Sequence, residues 1–337
     1  MIETVRISFI VPVYNSSNTL ERCVNSLLTQ RLEEGSYEII LINDGSTDDS
    51  EEICQEFCRR YPYTKLLSQE NVGLSATRNR GIQVSSGDYL CFVDSDDNLI
   101  PECIKSLLPY CDGNNDLIRY WCEIVYPGNK GDANLGDRHV TFKGSGLEYL
   151  RQYGLETFCW NYLYKRSFIE RKKLCFTPGI IGEDFRFMFD VLMANPRIVS
   201  IAQRVYQYHI NPSSISTTRT PEHSRRWVND LIDTMFHIVS ELEPLRDSDS
   251  VLYEKCHRSL DDKCLALFSR ILSADYKTRD FREVLFICHE KGLLPLQTKR
   301  NLLVSCLTHF PFLYSPASFV FRRLFLPYIY PKINKNG

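Results

Sequence analysis

The chain has 337 residues, of which 43% are hydrophobic and 24% charged, and its formal net charge is −2. This length suffices for two domains, or for one large domain with an appendage. The balanced charge argues against a nucleic-acid partner, and Met1–Ser8 lacks the long apolar core of a secretion signal. The 13 cysteines are scattered through apolar patterns, which predicts buried free thiols in a reducing cytoplasm and no zinc site.

The first hundred residues alternate between strand and helix patterns, which indicates a parallel sheet built from βαβ units. Ligands of such sheets bind at the carboxyl ends of the strands. Polar side chains follow the predicted strands at that end, with Arg78 on the helix before the fourth of them. The predicted strands are Ile7–Val13, Tyr37–Ile42, Thr64–Leu67 and Tyr89–Val93.

Three carboxylates, Asp94, Asp96 and Asp97, follow the fourth predicted strand directly. Like charges at the end of a buried strand repel each other, and a hard divalent cation such as Mg²⁺ or Mn²⁺ would compensate them. The alternative is a solvated acidic turn that leads into the next helix.

The other polar groups at this edge suit a nucleoside diphosphate. Tyr14 could stack on a base, Asp44 could accept a hydrogen bond from a ring N–H, and Arg78 could neutralise phosphate. Alternatively, Tyr14 only packs, Asp44 only shapes its turn and Arg78 lies on a solvated helix face. The chain has no Walker lysine loop and no Gly-x-Gly-x-x-Gly motif, which argues against P-loop NTPases and classical dinucleotide enzymes.

Four motifs, Val11–Asn15, Asn43–Asp48, Asn71–Asn79 and Asp94–Asp97, resemble in order and spacing the signature series of family 2 glycosyltransferases. The resemblance implies the α/β GT-A fold, with a mostly parallel sheet flanked by helices. It also implies a hexosyl- or N-acetylhexosaminyltransferase of bacterial surface-polysaccharide synthesis, with a UDP-sugar donor, Mn²⁺ or Mg²⁺, and inversion at the anomeric carbon. Asn43 departs from the family, which more often has an aspartate there, whereas Asp44 is retained.

The resemblance also assigns residues to the donor and the metal. Asp96 is the first choice as metal ligand, followed by Asp94 and Asp97, and His209 lies where a histidine sometimes completes the metal shell. A lone histidine is otherwise more often not a ligand. The residues expected on the nucleotide-sugar are Pro12, Tyr14, Asp44, Asn71, Gly73, Arg78, Asp94 and Ser95.

The acceptor side is expected between residues 116 and 219. Inverting transfer needs a carboxylate to take the proton from the acceptor hydroxyl, and Glu183-Asp184 resembles the family's Glu-Asp motif. We predict Asp184 as the base, with Glu183 orienting the acceptor or serving as the alternative base. Both could instead be acidic residues favoured in a first helical turn.

Three further residues are predicted to bind substrate. Trp160 would lie beneath an acceptor sugar ring, although an aromatic residue on a core helix is the competing interpretation. Lys165 belongs to the same stretch, and Ser216 belongs to a loop that could fold over the diphosphate.

The predicted organisation is a catalytic domain at residues 1–219, with nucleotide-sugar binding in 1–115 and acceptor binding in 116–219. Residues 220–337 form a helical extension. Its final segment, Phe310–Lys335, mixes aromatic and basic residues as in membrane-interface segments. This would suit a peripheral protein on the inner face of the plasma membrane with a glycan or polyprenyl-linked acceptor. A docked terminal helix or a dimer contact is the alternative.

Two other functions compete with this interpretation. A sugar-1-phosphate nucleotidyltransferase would carry a Gly-rich, Arg- and Lys-containing loop after its first strand, where this chain has Pro12–Ser16. A non-catalytic sugar-nucleotide-binding or scaffolding subunit would not need both the Asp94–Asp97 cluster and Glu183-Asp184.

Overall fold

In a computed structural model of the chain, the structure describes residues 6–128, 139–211, 220–274 and 276–294. Contacts divide the chain into two units. The sheet unit comprises Met1–Tyr149, Thr157–Gly179 and Phe187–Ile210, and the helical unit comprises Leu150–Glu156, Ile180–Arg186 and Asn211–Gly337. Two short segments from the first 219 residues therefore belong with the C-terminal helices, which a single boundary at residue 219 does not capture.

Four parallel strands form one half of the sheet, in the order β3-β2-β1-β4. Every residue of β1, β2 and β4 is buried, as expected of strands covered on both faces. The strands are β1 Ile7–Val13, β2 Tyr37–Asp44, β3 Thr64–Gln69 and β4 Tyr89–Phe92. The helices between them are α1 Leu20–Leu28, α2 Ser50–Arg60 and α3 Leu74–Val84.

The other half of the sheet is mixed and continues in the order β4-β8-β6-β9-β5, with β7 paired to β9. Strand β8 runs antiparallel to both β4 and β6, and β6 runs parallel to β9. The strands are β5 Asn98–Leu99, β6 Leu117–Val125, β7 Val140–Ser145, β8 Tyr162–Lys165 and β9 Arg197–His209. The helices are α4 Cys103–Leu107, α5 Gly146–Tyr153, α6 Arg166–Lys172 and α7 Glu183–Met193.

Within its described residues, the helical unit contains three long helices, α8 Pro221–Leu242, α9 Ser250–Ser273 and α10 Thr278–Glu290. The side chains of Thr220 and Asp249 cap α8 and α9 by accepting hydrogen bonds from backbone N–H groups of their first turns. These helices agree with the helical pattern predicted from residue 221 onward. Among the helices that the structure describes, none has the length and apolar character to cross a membrane. The predicted interfacial segment Phe310–Lys335 lies outside the described residues.

The parallel half of the sheet brings four loops to one edge, because β1, β2, β3 and β4 all end there. We call this the carboxyl edge and define it by the last residue of β2 and the residues that follow the four strands. They are Tyr14–Ser16, Asp44–Asp48, Asn71–Gly73 and Asp94–Asp97.

Candidate active site

Side-chain hydrogen bonds join the loops of the carboxyl edge into one surface. The Asn15 side-chain oxygen accepts from the backbone N–H of Thr47 (2.8 Å), and the Asn15 N–H donates to the Ser46 hydroxyl (3.1 Å). The hydroxyls of Ser16 and Ser95 are hydrogen-bonded at 2.7 Å. The loops after β1, β2 and β4 are thus fixed relative to one another, as a preorganised binding site requires.

Tyr14, the residue after β1, is 48% exposed. In this position the large aromatic side chain is not buried in the core. It offers a flat apolar face to a ligand, so the predicted stacking on a nucleotide base stays a prediction that the geometry permits.

Asp44 is only 4% exposed, and its carboxylate organises the loop after β3. One oxygen accepts from the Gln69 side chain (2.7 Å) and the Val72 N–H (2.9 Å), and the other accepts from the Gly73 N–H (2.9 Å). Gly45 has φ +72°, and a Cβ there would lie 2.8 Å from the Asn71 nitrogen, so the two loops touch closely. The carboxylate shapes its surroundings, as the alternative interpretation had it, and a contact with a base remains a prediction.

Arg78 is buried, with 1% exposure, and its guanidinium lies 2.7 Å from an Asp94 carboxylate oxygen. The same guanidinium lies over the ring of Phe176, 5.2 Å from its centroid. Arg78 does not lie on a solvated helix face, because it is buried, and its contact with a phosphate stays a prediction. Its position holds the Asp94 carboxylate in place.

The three aspartates differ in their surroundings. Asp94 and Asp96 are partly exposed, whereas Asp97 is fully buried. Both oxygens of Asp97 face the protein, because one accepts from the Tyr206 hydroxyl (2.8 Å) and the other from the His209 N–H (2.7 Å). Burial, and then the charges of Asp94 and Asp96, raises the pKa of Asp97 to about 9. The structure corrects the prediction of Asp97 as a direct ligand and leaves Asp94 and Asp96 as the candidates.

His209 contacts Asn98 through one ring nitrogen, and its role as a metal ligand stays a prediction. Its Nε2 lies 2.6 Å from the Asn98 side-chain oxygen, and the Asn98 amide is oriented by donating to the Gln207 side chain (2.7 Å). Since an amide oxygen only accepts, Nε2 carries the proton in this contact, and Nδ1 is the ring nitrogen that keeps its lone pair. Burial, and then the nearby Arg22 charge, lowers the pKa of His209 to about 4, so the ring is neutral.

The remaining candidate ligands, Asp94 and Asp96, suit a metal ion that binds together with a phosphate-bearing substrate. In the described part of the chain, no group of three His, Cys, Asp or Glu side chains is arranged to hold a metal ion. Mg²⁺ is often bound through only one or two carboxylates, with substrate phosphates completing its shell. Asp94 and Asp96 supply that number of hard oxygen ligands.

Trp160 lies in the core, not beneath a sugar. It is 3% exposed, and its ring is stacked between Tyr206 (centroids 4.3 Å apart) and Phe158 (4.9 Å apart). With both faces covered, Trp160 has no free face for an acceptor, so the competing core interpretation is the correct one. Phe158, the outer ring of the stack, is 46% exposed. No local pattern in the sequence distinguishes Phe158 from Trp160 as the exposed ring.

Lys165 is at the wrong edge for the predicted substrate contact. Its backbone pairs with Tyr89, the first residue of β4, whereas the aspartates follow the last residue of that strand. Its ammonium group donates to the Gly113 carbonyl at 2.6 Å. Ser216 lies outside the described residues.

Glu183 and Asp184 form the first turn of α7, in the part of that helix assigned to the helical unit. Glu183 is 8% exposed and Asp184 is partly exposed. Gly182, just before them, has φ +81°, a conformation that favours glycine. Their position agrees with the predicted helix start, and their catalytic role stays a prediction.

Sequence reasoning missed two groups that support the aspartates. The Tyr206 hydroxyl accepts from the Asp94 N–H (3.1 Å) while it donates to Asp97, and the Arg22 guanidinium donates to the Asp96 carbonyl. Tyr206 lies more than a hundred positions from both aspartates, so no local pattern in the sequence could have indicated it.

An open α/β sheet with an exposed aromatic ring and paired carboxylates at its carboxyl edge has the features of a nucleotide-binding transferase. Comparison with known proteins identifies which family of transferases this is. Residues 8–192 match the family model described as glycosyl transferase family 2. That match covers more than half of the chain, so the chain belongs to glycosyl transferase family 2 and is a glycosyltransferase.

Individual relatives agree with this assignment. The chain is 29% identical to the uncharacterized glycosyltransferase YibD of Escherichia coli, over 91% of this chain and 86% of that protein. It is 36% identical to the cholesterol galactosyltransferase of Borreliella burgdorferi, over 70% of this chain and 68% of that protein. The structure is similar to residues 1–349 of S. aureus TarS in complex with UDP-GlcNAc, with a TM-score of 0.66 and 18% identity over 95% of this chain and 90% of that one. The predicted GT-A fold is thereby confirmed.

Proposed function

We propose that this glycosyltransferase is metal-dependent and inverting, and that it transfers a hexose or N-acetylhexosamine from a UDP-sugar to a surface glycan or lipid-linked acceptor. The observation that carries the proposal is the grouping of Asp94 and Asp96, partly exposed, with the exposed ring of Tyr14 on one edge of the sheet. The UDP-GlcNAc bound to S. aureus TarS, a protein of similar fold, supports UDP as the donor nucleotide.

In this proposal the carboxyl edge binds the donor. Tyr14 stacks on the base, and Arg78 holds Asp94 in the orientation that a cation needs. Asp94 and Asp96 would hold Mn²⁺ or Mg²⁺, which when bound would offset the charge of the leaving diphosphate. Asp97 stays buried beneath them and does not touch the donor.

Asp184 is the proposed general base. It accepts the proton of the acceptor hydroxyl while that oxygen forms a bond to the anomeric carbon from the face opposite the diphosphate. The bond from the anomeric carbon to the diphosphate oxygen breaks, and UDP leaves with the electron pair. Attack from the opposite face inverts the anomeric configuration, and Glu183 orients the hydroxyl.

The exposed ring of Phe158 is the proposed contact for an acceptor sugar, in place of Trp160. Its inner face rests on Trp160, so the ring is held rigidly and its outer face can stack on a sugar ring. The cholesterol galactosyltransferase among the relatives supports a lipid as part of the acceptor and galactose as one candidate for the transferred sugar.

The test is release of UDP from UDP-glucose, UDP-galactose, UDP-GlcNAc and UDP-GalNAc by purified protein with Mn²⁺, with water as the acceptor. Asp184→Asn should lower kcat by roughly 100-fold or more, because an amide cannot take the proton. Asp233→Asn on the exposed side of α8 serves as the control and should retain wild-type turnover. Full turnover in Asp184→Asn would refute the base assignment. If the wild type neither binds nor cleaves any of these donors, the result would favour the alternative function, a non-catalytic scaffolding subunit.

A further inference from the structure

The helical extension contacts the segment that carries the proposed base. Ile180–Arg186 belongs to the helical unit, although α8 begins about 35 residues later in the chain. One carboxylate oxygen of Asp230, on α8, accepts a hydrogen bond from the backbone N–H of Ile181 at 2.9 Å. The Asp230 side chain is 18% exposed, and Arg226, one turn earlier, lies 3.8 Å from the same oxygen. The oxygen that accepts this hydrogen bond lies near a positive charge and is largely screened from water, which strengthens the interaction.

A second contact lies on the other side of the carboxylate pair. The ammonium group of Lys263, on α9, lies 4.6 Å from the centroid of the Phe185 ring, and Phe185 is 3% exposed. Phe185 follows Asp184 directly, so this cation–π contact restrains the side chain of the residue immediately after the carboxylates.

We infer that Asp230 and Lys263 are positioning residues that set the direction of the Asp184 carboxylate. The inference rests on the proposed function, because it takes Asp184 as the base. The two contacts involve residues 181 and 185, on either side of Glu183-Asp184, and Gly182 between them has φ +81°, a backbone conformation that favours glycine. Through this positioning role, α8 and α9 contribute to the reaction, although their sequences contain no catalytic motif.

The effect should appear in the chemical step. Small displacements of a catalytic group cost up to about 100-fold in rate without loss of ligand binding. Replacing Asp230 should therefore lower kcat for UDP release and leave the KM for the UDP-sugar unchanged. A residue that only stabilised the fold would lower the amount of active protein but would not change the pH profile of kcat.

The experiment compares Asp230→Ala, Asp230→Asn and the control Asp233→Ala. Asn keeps an oxygen that can accept from Ile181, whereas Asp233 lies on the same helix, pairs with Lys291 at 3.0 Å and is 67% exposed. We expect Asp230→Ala to lower kcat by roughly 10- to 100-fold and to shift its pH profile. Asp230→Asn should recover most of the rate, and Asp233→Ala should match the wild type.

Hydrogen exchange at the Ile181 amide provides a readout that does not depend on turnover. Asp230→Ala should speed this exchange, and Asp233→Ala should not. Equal kcat in Asp230→Ala and Asp233→Ala, or unchanged exchange at Ile181, would overturn the inference. Failure of the proposed function appears separately, as a wild type that neither binds UDP nor releases it.

Discussion

Buried carboxylates at the two edges of the parallel strands have pKa values shifted in opposite directions. At the edge where the strands begin, Glu38 is 3% exposed and accepts hydrogen bonds from the Ser8 hydroxyl (2.6 Å), the Ser86 N–H (2.6 Å) and the Lys65 ammonium group (2.7 Å). Burial alone would raise its pKa, but the hydrogen bonds from Lys65, Ser8 and Ser86 outweigh burial and lower the pKa of Glu38 to about 2. Its charge is compensated entirely within the protein.

At the carboxyl edge, Asp97 has two hydrogen-bond donors but also two negatively charged neighbours, Asp94 and Asp96. Its pKa is accordingly raised, to about 9, by burial and by those charges. The comparison teaches that burial of a carboxylate does not by itself indicate a function. A carboxylate surrounded by donors stabilises the fold, whereas a group of carboxylates with a single buried arginine leaves negative charge for a cationic ligand.

The largest expected effect is a difference in stability between variants of two ion pairs. One pair is Arg78–Asp94 at the carboxyl edge, and the other is Lys65–Glu38 at the opposite edge. Arg78→Met should lower the free energy of unfolding by about 3–5 kcal/mol, because Asp94 loses a partner that is itself fully buried. Lys65→Met should cost only about 1 kcal/mol, since Lys65 is 54% exposed and Glu38 keeps its serine donors. Denaturant unfolding of both variants provides the measurement, and equal losses would contradict the distinction.

A smaller effect is expected when the buried carboxylates become amides. Glu38→Gln should lose about 1–3 kcal/mol, because an NH₂ group would face donors instead of accepting from them. Asp97→Asn should retain or gain stability at pH 8 without added metal, because the folded pKa of Asp97 lies above that pH and the carboxyl must take up a proton on folding, which an amide does not need to do. The two unfolding curves should therefore move in different directions from that of the wild type. A loss in Asp97→Asn as large as in Glu38→Gln would show that Asp97 is compensated like Glu38.

The smallest expected effect is the pH dependence of the stability that Glu38 contributes. The folded pKa of about 2 lies below the ordinary value of 4.5, so the unfolded chain binds this proton first as the pH falls. The stability contributed by Glu38 is present above pH 4.5 and is lost between that value and the folded pKa. Glu38→Gln should therefore show a shallower decline in stability below pH 4.5 than the wild type. Parallel declines would rule out this contribution.

Much of the sheet unit could be predicted from the sequence. The four strands of the parallel half begin at the predicted residues because long β-branched and apolar runs such as Ile7–Val13 are interrupted by sharp polar turns. Their parallel arrangement followed from the helices between them, and that arrangement alone brings Tyr14, Asp44 and Asp94 to one edge.

The orientation of individual side chains could not be predicted. Asp97 is buried because Tyr206 and His209 of β9, more than a hundred positions later, pack against it. Whether Trp160 or Phe158 is exposed depends on the same distant strand, since Tyr206 covers the inner face of Trp160. Local patterns show which residues are polar or aromatic, but packing between remote strands decides which of them face a ligand.

The most direct measurement is calorimetric titration of UDP into the wild type, Asp96→Ala and Asp88→Ala, with Mn²⁺ and with EDTA. Asp88 is the control, because it accepts from the Arg6 N–H (3.0 Å) at the edge where the strands begin. The account predicts UDP binding that requires both Mn²⁺ and Asp96 and is unchanged in Asp88→Ala. Equal binding in EDTA, or in Asp96→Ala, would contradict the role given to the aspartates. Binding of GDP or CDP but not UDP would contradict the donor class.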